Sequence, residues 1–329
     1  MYSVMVGVKP KRTVGATQGT VGATRASSTQ TVSGGDQLIT YSYRPRSKRP
    51  LPNLTMSLTS TCTAGCIGWA SLFFASIKFL TPRSLSKQKD RVYYASSAVG
   101  IVHALYTGLS AVYLLGSGEL PMWDRFGESS PAWERVVAIS FGYFVYDAAL
   151  VLLSPSMPGR AEILLHHFLG LTMHFTPVCV YQKFAALSCV GYVCELSSPF
   201  VNARWMLKEA GGGSGTTLYL LNGLAIVLSF LVFRVIGLLV CLYQIFVLVP
   251  HHASPSFADL GPLCQYLVPA GALVFYALNL FWFFKIISGA LKLLAPAKRG
   301  AKRRMGAAAD QPQLPPIEQP IEAYPVKSK

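Results

Sequence analysis

The stretch LLHHFLG, at Leu164–Gly170, decides how the rest of the sequence is interpreted. It places two adjacent histidines, His166 and His167, inside an apolar run that is long enough for a membrane-spanning helix. Imidazole rings at membrane depth are costly unless other polar groups contact them. The neighbouring helices are therefore expected to supply polar partners for both rings.

The composition indicates a polytopic membrane protein. The chain has 329 residues, of which 52% are hydrophobic and only 13% are charged, against about 25% charged residues in an average soluble domain. The deficit of charge lies between residues 58 and 294. Because lipid offers no hydrogen bonds to the backbone, the long apolar segments there predict helices, and we expect an all-α fold.

Seven transmembrane helices are predicted. Their approximate bounds are 58–80, 93–115, 133–153, 161–181, 184–207, 217–249 and 263–294. The flanking regions, 1–57 and 296–329, are basic, and the first is rich in Ser, Thr and Gly, so we expect both to be disordered. A targeting segment within the acid-poor first region is an open alternative.

The net charge of +15 is concentrated in segments that flank the predicted helices. Basic residues at helix ends are a topology signal, and we expect no nucleic-acid partner. The loops after helices 1, 3 and 5 and the C-terminal region carry most of them, which places these segments in the cytosol. The N-terminal region is also basic but falls on the opposite side.

Polar residues inside the predicted helices lie at related depths. His166 and His167 are roughly 7–9 Å from the cytosolic end of helix 4, and Asp147 of helix 3 is about as deep. Further polar residues occur in the other helices: His103, His174, Glu195, Ser198, Asn202, Arg234, Asn279 and Lys285. We therefore predict a polar chamber that opens to the cytosol above an apolar floor, with these eight residues as candidate substrate contacts.

The histidine pair is the candidate catalytic element. A carboxylate beside a histidine can hold its ring in one tautomer and let it act as a general base. We predict His166, His167 and Asp147 as catalytic residues, with Asp147 about 2.6–3.2 Å from one imidazole. The alternative is a structural ion pair between Asp147 and Lys285 or Arg160.

Spacing adds further expectations. Glu195, Ser198 and Asn202 follow an i, i+3, i+7 pattern and should form one polar stripe on helix 5. Arg234 is expected to pair with Glu195 or with a backbone carbonyl, and His103 alone is more simply explained as structural. The six histidines lack the spacings of membrane di-iron sites, and the seven cysteines form no CxxC pair, so no metal is predicted.

Four segments in this order resemble the TLC-domain family, which includes the ceramide synthases. They are FVYD at Phe144–Asp147, LHH at Leu165–His167, ELSSPFVNARW at Glu195–Trp205 and NLFWFFKI at Asn279–Ile286. The resemblance covers residues 90–295 and is closest to the smaller TLC-domain proteins. Ceramide synthases continue after the Asn/Arg segment with a His-Asp and further aspartates, whereas this chain reads WMLKEA at Trp205–Ala210 and then glycines. A homeobox-like insert after helix 1 is also absent.

The resemblance implies that helices 2–7 form a six-helix barrel around a lipid cavity. In ceramide synthases the paired histidines carry acyl transfer from acyl-CoA to a sphingoid base. By that resemblance, His166 and His167 would be nucleophile or base, and Asp147 would orient them.

Two functions therefore remain open for a protein of membrane lipid homeostasis. One is acyl transfer, with acyl-CoA as co-substrate and no bound cofactor. The other is non-enzymatic lipid sensing or cargo trafficking. The expected location is the endoplasmic reticulum or another endomembrane, or an organellar membrane if the N-terminal region is a transit peptide.

The predicted topology is testable with terminal tags. Seven spans place the two termini on opposite faces of the membrane, so tags at residues 1 and 329 should differ in protease protection in sealed vesicles. Equal protection of both tags would mean that helix 1 does not span or that the N-terminal region is removed.

Overall fold

The computed structural model describes residues 28–34, 37–43, 51–118, 120, 127–157, 159–210, 213, 215–248 and 261–294. The chain divides into two compact units, Met1–Ser57 and Leu58–Lys329, and each is described by itself. The predicted disordered tail at 296–329 lies outside the described residues.

The N-terminal unit contains a β-hairpin that the composition did not lead us to expect. Strand β1, Ser28–Gly34, pairs antiparallel with β2, Gln37–Tyr43, with Ser28 opposite Tyr43 and Gly34 opposite Gln37. Both strands contain β-branched residues, and β2 adds two tyrosines, which are the residue types that favour strands. The hairpin covers residues 28–34 and 37–43 of the region predicted to be disordered, and residues 1–27, 35–36 and 44–50 of that region lie outside the described residues.

Seven successive helical rods follow. Three rods are continuous α-helices: α2, Gln88–Gly116; α3, Pro131–Leu153; and α7, Pro262–Leu294. Two end in a π-helical segment: α1 consists of Leu51–Ala75 and Ser76–Leu80, and α4 of Arg160–Gly170 and Leu171–Val180. Rod α5 consists of Ala185–Val193, the 3₁₀ turn Cys194–Ser197 and Ser198–Ala210, and rod α6 of Thr217–Ser229, the π-helix Phe230–Ile236, Gly237–Tyr243 and the π-helix Gln244–Leu248.

The described part of the chain contains six helices that are long and apolar enough to cross a membrane. They are Ser57–Leu80, Gln88–Gly116, Pro131–Leu153, Arg160–Val180, Thr217–Val247 and Cys264–Lys292. The rod α5 is not among them because it carries the polar stripe of Glu195, Ser198 and Asn202. Helical rods thus occur at all seven predicted positions, and among the described residues six of them have the length and hydropathy of a membrane span. The prediction of an all-α polytopic membrane fold is confirmed.

The rods pack through two apolar clusters. One cluster joins α1 to α5 and includes Trp69, Trp133 and Tyr143. The other joins α4 to α7 and includes Leu169 and Phe275. Large apolar side chains on the outer faces are exposed, which suits a surface that contacts lipid.

Two glycines allow α1 and α3 to cross at close range. A Cβ atom at Gly142 would lie 2.4 Å from the backbone N of Cys66, and one at Gly65 would lie 3.0 Å from the carbonyl O of Ile139. The indole N–H of Trp69 also donates to the Ile139 carbonyl at 3.1 Å. The opposing atoms belong to the backbone and have little freedom to move aside. The close approach of α1 to α3 therefore requires residues without side chains at these two positions.

A buried arginine ties α5, α6 and α7 together. Arg234 Nη2 lies 3.2 Å from Glu195 Oε1 and donates to Ser198 Oγ at 2.7 Å. Its Nε donates to Ser197 Oγ at 2.8 Å, and its Nη1 donates to Asn279 Oδ1 at 3.0 Å. Ser198 in turn donates to Glu195 Oε2 at 2.8 Å. The predicted pairing of Arg234 with Glu195 is confirmed, and each nitrogen of the guanidinium has an acceptor.

The irregular turns of the helices bring these groups together. Glu195 and Ser197 belong to the 3₁₀ turn of α5, and Arg234 belongs to a π-helical segment of α6. Pro199, two residues after the end of the 3₁₀ turn, has no N–H to continue the ordinary α-helical hydrogen bonds. Departures of this kind are frequent at functional sites.

The helix crossing predicts that Gly142→Ala destabilises the protein by about 1–3 kcal/mol, because the added methyl group would overpack α3 against the backbone of α1. Gly68→Ala is the matched control, since a Cβ at Gly68 meets no atom within 4 Å. The measurement is the thermal unfolding midpoint of the purified protein in detergent. Equal midpoints for the two variants would contradict the close crossing.

The arginine network predicts that loss of the buried Arg234 costs much more stability than loss of the exposed Lys285. Arg234→Met should cost about 3–5 kcal/mol because it leaves Glu195 charged and buried, whereas the double variant Arg234→Met with Glu195→Leu should be less destabilised. Lys285→Met is the control, because the Lys285–Glu162 pair, at 3.5 Å, has a lysine side chain that is 58% exposed, and such pairs contribute about 0–1 kcal/mol. Equal thermal midpoints for Arg234→Met and Lys285→Met would refute this prediction.

Candidate functional site

The bundle encloses a cavity of about 400 Å³, which is within the usual size range of ligand pockets. Each of α2 to α7 contributes to its wall. The polar and aromatic lining includes Ser96 and His103 from α2, Tyr143 and Asp147 from α3, Glu162, His166 and His167 from α4, Glu195, Ser198 and Asn202 from α5, Phe230 and Arg234 from α6, and Trp282 and Lys285 from α7. The predicted convergence of polar groups from six helices is confirmed.

His166 faces the arginine network. Its Nε2 lies 3.7 Å from Glu195 Oε1, which is the oxygen that also contacts Arg234. Its ring is stacked on Phe275 at 5.1 Å between centroids and lies 5.6 Å from the Trp282 ring. These two aromatic rings of α7 pack against the imidazole and restrict its orientation toward Glu195.

His167 faces a different carboxylate. Its Nε2 lies 3.6 Å from Asp147 Oδ2, and the other oxygen of Asp147 accepts a hydrogen bond from Ser96 at 3.2 Å. Asp147 is therefore beside the histidine pair, as predicted, but the separation is longer than the predicted 2.6–3.2 Å. The carboxylate reaches His167 at ion-pair distance and takes its hydrogen bond from a serine that the sequence had not indicated.

The alternative ion pairs for Asp147 are not formed. Lys285 Nζ pairs with Glu162 Oε1 at 3.5 Å. Arg160 instead donates to the carbonyl oxygens of Val151 and Leu152, at 3.2 and 3.3 Å. It thereby satisfies the end of α3, whose last carbonyl groups have no partner within the helix.

The two imidazoles share one further feature. The Nδ1 atoms of His166 and His167 are buried and have no hydrogen-bond partner among the described residues. A proton on Nε2, directed at the carboxylate, would leave Nδ1 as the unprotonated ring atom. This tautomer avoids a buried N–H without an acceptor.

The polar stripe of α5 lines the cavity as predicted. Glu195, Ser198 and Asn202 all contribute to the wall. Asn202 approaches the backbone of α2 at Gly100, where an added Cβ would lie only 3.0 Å from Asn202 Nδ2. The absence of a side chain at Gly100 is what allows the amide to reach the cavity at this point.

The predicted apolar floor is wrong. At the deep end, His103 lines the cavity and its Nε2 is 2.8 Å from Ser140 Oγ, which also accepts a hydrogen bond from Tyr192 at 3.3 Å. Sequence periodicity could not show that a polar residue at this depth would find partners on two other helices. The floor is thus polar but internally hydrogen-bonded.

Two of the predicted substrate contacts lie outside the cavity wall. His174 is 3.0 Å from Ser188 Oγ, a hydroxyl that also accepts a hydrogen bond from Trp133 Nε1 at 3.2 Å. Asn279 is fully buried behind Arg234 and donates its own amide to the Phe275 carbonyl at 2.8 Å. Both residues hold helices together and are not among those lining the cavity, because their faces of α4 and α7 turn toward neighbouring rods.

Several lining residues were missed by the sequence analysis. Ser96 lies seven positions before His103 on α2, and Tyr143 lies four positions before Asp147 on α3, so each shares a face with a residue that was predicted. Extending the polar stripes to hydroxyl-bearing and aromatic residues would have found them. Within the parts of the chain that the structure describes, no group of three or more His, Cys, Asp or Glu side chains is placed to hold a metal ion.

The family model and the similar proteins found by comparison all carry the same domain. The family model of the TLC domain matches residues 94–288. The chain is 26% identical to TLC domain-containing protein 4 of Xenopus tropicalis, over 74% of this chain and 94% of the relative. It is 24% identical to the human protein of the same name, over 74% and 92%, and 26% identical to TLC domain-containing protein 2 of Danio rerio, over 58% and 73%. The chain therefore belongs to the TLC-domain family, whose members are membrane proteins of lipid metabolism and homeostasis.

Proposed function

We propose that the cavity binds an acyl lipid and that His166 or His167 transfers the acyl group to a lipid acceptor. One observation carries the proposal: two adjacent imidazoles line a ligand-sized cavity, and each faces its own carboxylate. An imidazole that lines a cavity beside a carboxylate is an arrangement suited to general acid–base catalysis. The endoplasmic reticulum or another endomembrane is the proposed location.

The two histidines differ in how firmly their carboxylates are held. Glu195 is fixed by Arg234 and Ser198, so its negative charge is balanced by a cation at 3.2 Å. Asp147 has Ser96 as its hydrogen-bond donor and His167 at 3.6 Å. Among the described residues no Arg or Lys lies within ion-pair distance of Asp147, so His167 is the one basic side chain beside this carboxylate, and we assign His167 the role of base.

The proposed step conserves atoms and electrons. The imidazole of His167 accepts a proton from an amino or hydroxyl group of the acceptor. The nitrogen or oxygen of that group bonds to the acyl carbonyl carbon of acyl-CoA, the C–S bond breaks, and the leaving thiolate takes the proton from the imidazolium. The products are the acylated acceptor and the free thiol of CoA, while Asp147 stabilises the transient positive charge.

A second function, lipid sensing or transport without turnover, is favoured by one observation. Both His–carboxylate separations, 3.6 and 3.7 Å, exceed a hydrogen bond. The imidazoles could then serve only to balance buried acids in a binding cavity. The two functions share the cavity and the ligand class, and they differ in whether the histidines are needed for lipid conversion or only for stability.

The histidine pair is tested by His166→Ala and His167→Ala, alone and together, in cells that lack the native protein. Loss of a general base lowers a rate by about 10²–10⁴-fold, so the double variant should fail to restore the native lipid profile. Phe168→Ala is the matched control, because Phe168 follows the pair on the same helix and is 58% exposed. Lipid profiles and protein abundance are measured in parallel.

The outcomes separate the two functions. A double variant that is abundant, retains bound acyl lipid on purification and yet fails to restore the profile supports transfer. A double variant that restores the profile removes the enzymatic proposal. If abundant native protein purifies without bound acyl lipid, both proposed functions are excluded.

A further inference from the structure

One part of the cavity wall carries polar side chains that have no polar partner within the protein. Ser97 of α2, Tyr143 of α3 and Asn202 of α5 all line the cavity. Their hydroxyl and amide groups form no hydrogen bond with any of the described residues. Ser97 is 4% exposed and Tyr143 is 9% exposed. Because buried polar groups are as a rule hydrogen-bonded, the contents of the cavity must supply their partners.

Gly100 of α2 gathers these groups around one point. A Cβ atom added at Gly100 would lie 3.0 Å from Asn202 Nδ2 and 3.3 Å from the hydroxyl oxygen of Tyr143. Ser97 precedes Gly100 by three positions on the same helix, so the two residues share a face. Three helices therefore place hydroxyl and amide groups around a residue without a side chain. We call Ser97, Gly100, Tyr143 and Asn202 the polar recess.

The polar recess adjoins the proposed base. The Tyr143 ring meets the His167 ring edge-on, with centroids 6.1 Å apart. Ser96, the residue before Ser97, donates a hydrogen bond to Asp147, which is the carboxylate that faces His167. A small polar group that occupies the recess therefore lies beside His167.

The hydrogen-bonding groups of the recess favour a hydroxyl over an ammonium group. The hydroxyls of Ser97 and Tyr143 can each donate and accept, and the amide of Asn202 carries two N–H donors and one carbonyl acceptor. A hydroxyl group of a ligand also donates and accepts, so both of its functions can be paired. An ammonium group has no acceptor and would leave Asn202 Nδ2, which points at Gly100, unpaired.

Charge balance disfavours a phosphate group. Two side chains with permanent positive charge line the cavity, Arg234 and Lys285, and both are already in ion pairs. Arg234 lies 3.2 Å from Glu195, and Lys285 lies 3.5 Å from Glu162. The four residues of the polar recess are uncharged. Because burying an ion without an opposite charge costs far more than burying a paired hydroxyl, the recess selects neutral groups.

We infer that the polar recess binds a hydroxyl group of an uncharged lipid head group, and that this lipid is the acyl acceptor. The second part rests on the proposed transfer function, whereas the binding of the head group does not. A head group with two hydroxyls can place one in the recess and present the other to His167. The oxygen of that second hydroxyl bonds to the acyl carbonyl carbon as its proton passes to His167, and the CoA thiolate leaves with the proton.

The experiment measures binding by the purified full-length protein in detergent, with probes that share one alkyl chain. The probes are a glycerol monoalkyl ether, its dimethyl ether, an alkyl phosphate and an alkylamine. Quenching of tryptophan fluorescence reports binding, because Trp282 lines the cavity. The native protein should bind the glycerol ether about tenfold more tightly than each of the other probes, because only this probe offers neutral hydroxyl groups.

Removal of one hydroxyl tests the recess with little change to the fold. Tyr143→Phe keeps the ring that stacks on His103 at 3.7 Å. It should weaken binding of the glycerol ether about two- to tenfold and leave binding of the dimethyl ether unchanged. Tyr146→Phe is the matched control on the same helix, because the Tyr146 hydroxyl is buried without a partner among the described residues and does not line the cavity.

A second variant fills the recess. Gly100→Ala places a methyl group against Asn202 and Tyr143 and should weaken binding of the glycerol ether at least as much as Tyr143→Phe does. Gly116→Ala is its control, since Gly116 is on the same helix and a Cβ there meets no atom within 4 Å. Both alanine variants are compared with the native protein by thermal midpoint.

The outcomes separate this inference from the proposed function. If the alkyl phosphate or the alkylamine binds as tightly as the glycerol ether, or if no probe binds, the recess is not a hydroxyl site. The same holds if Tyr143→Phe weakens binding no more than Tyr146→Phe. If Tyr143→Phe weakens binding of acyl-CoA and not of the glycerol ether, the recess holds the thioester and the inference is overturned. Selective binding of the glycerol ether without consumption of acyl-CoA would remove the transfer function and leave the head-group site in place.

Discussion

A guanidinium buried among membrane helices is the constraint on which the rest of the site depends. Arg234 is 4% exposed, and a charge at that position is tolerated only when acceptors surround it. Glu195, Ser197 and Ser198 of α5 and Asn279 of α7 supply them. Because these acceptors come from two other rods, satisfying one side chain sets the relative positions of α5, α6 and α7 and thereby one wall of the cavity.

The same constraint separates the two histidines. Glu195 is shared between Arg234 and His166, so its orientation is set by the arginine and His166 meets a charge that is already balanced. Asp147 lies on the other side of the pair, with Ser96 and His167 as its partners. Adjacent residues on one helix thus have different electrostatic environments, since consecutive side chains point about 100° apart. This asymmetry is the physical basis for assigning them different roles.

Helix α1 shows how an element outside a domain can contribute to its site. The matched family region begins at residue 94, yet Trp69 contacts two rings that line the cavity. Gly142 makes this possible, because α3 has no side chain where the backbone of α1 crosses it. The chamber of this protein is therefore a product of the six helices α2 to α7 together with the helix that precedes them.

The sequence by itself determined the membrane class, the positions of the helical rods and most of the charged and histidine side chains that line the cavity, because hydropathy and depth along a helix are local properties. It also indicated the stripe of Glu195, Ser198 and Asn202 and the pairing of Arg234 with Glu195. Only the tertiary structure decided which carboxylate faces which imidazole, that His103 closes the cavity over Ser140, and that His174 and Asn279 lie behind its wall. The reason is rotational: contacts with neighbouring rods set how far each rod is turned about its own axis, and the 3₁₀ turn of α5 and the π-helical segments of α4 and α6 change the angle between successive side chains. Regular periodicity does not contain that rotation, and packing between rods sets it.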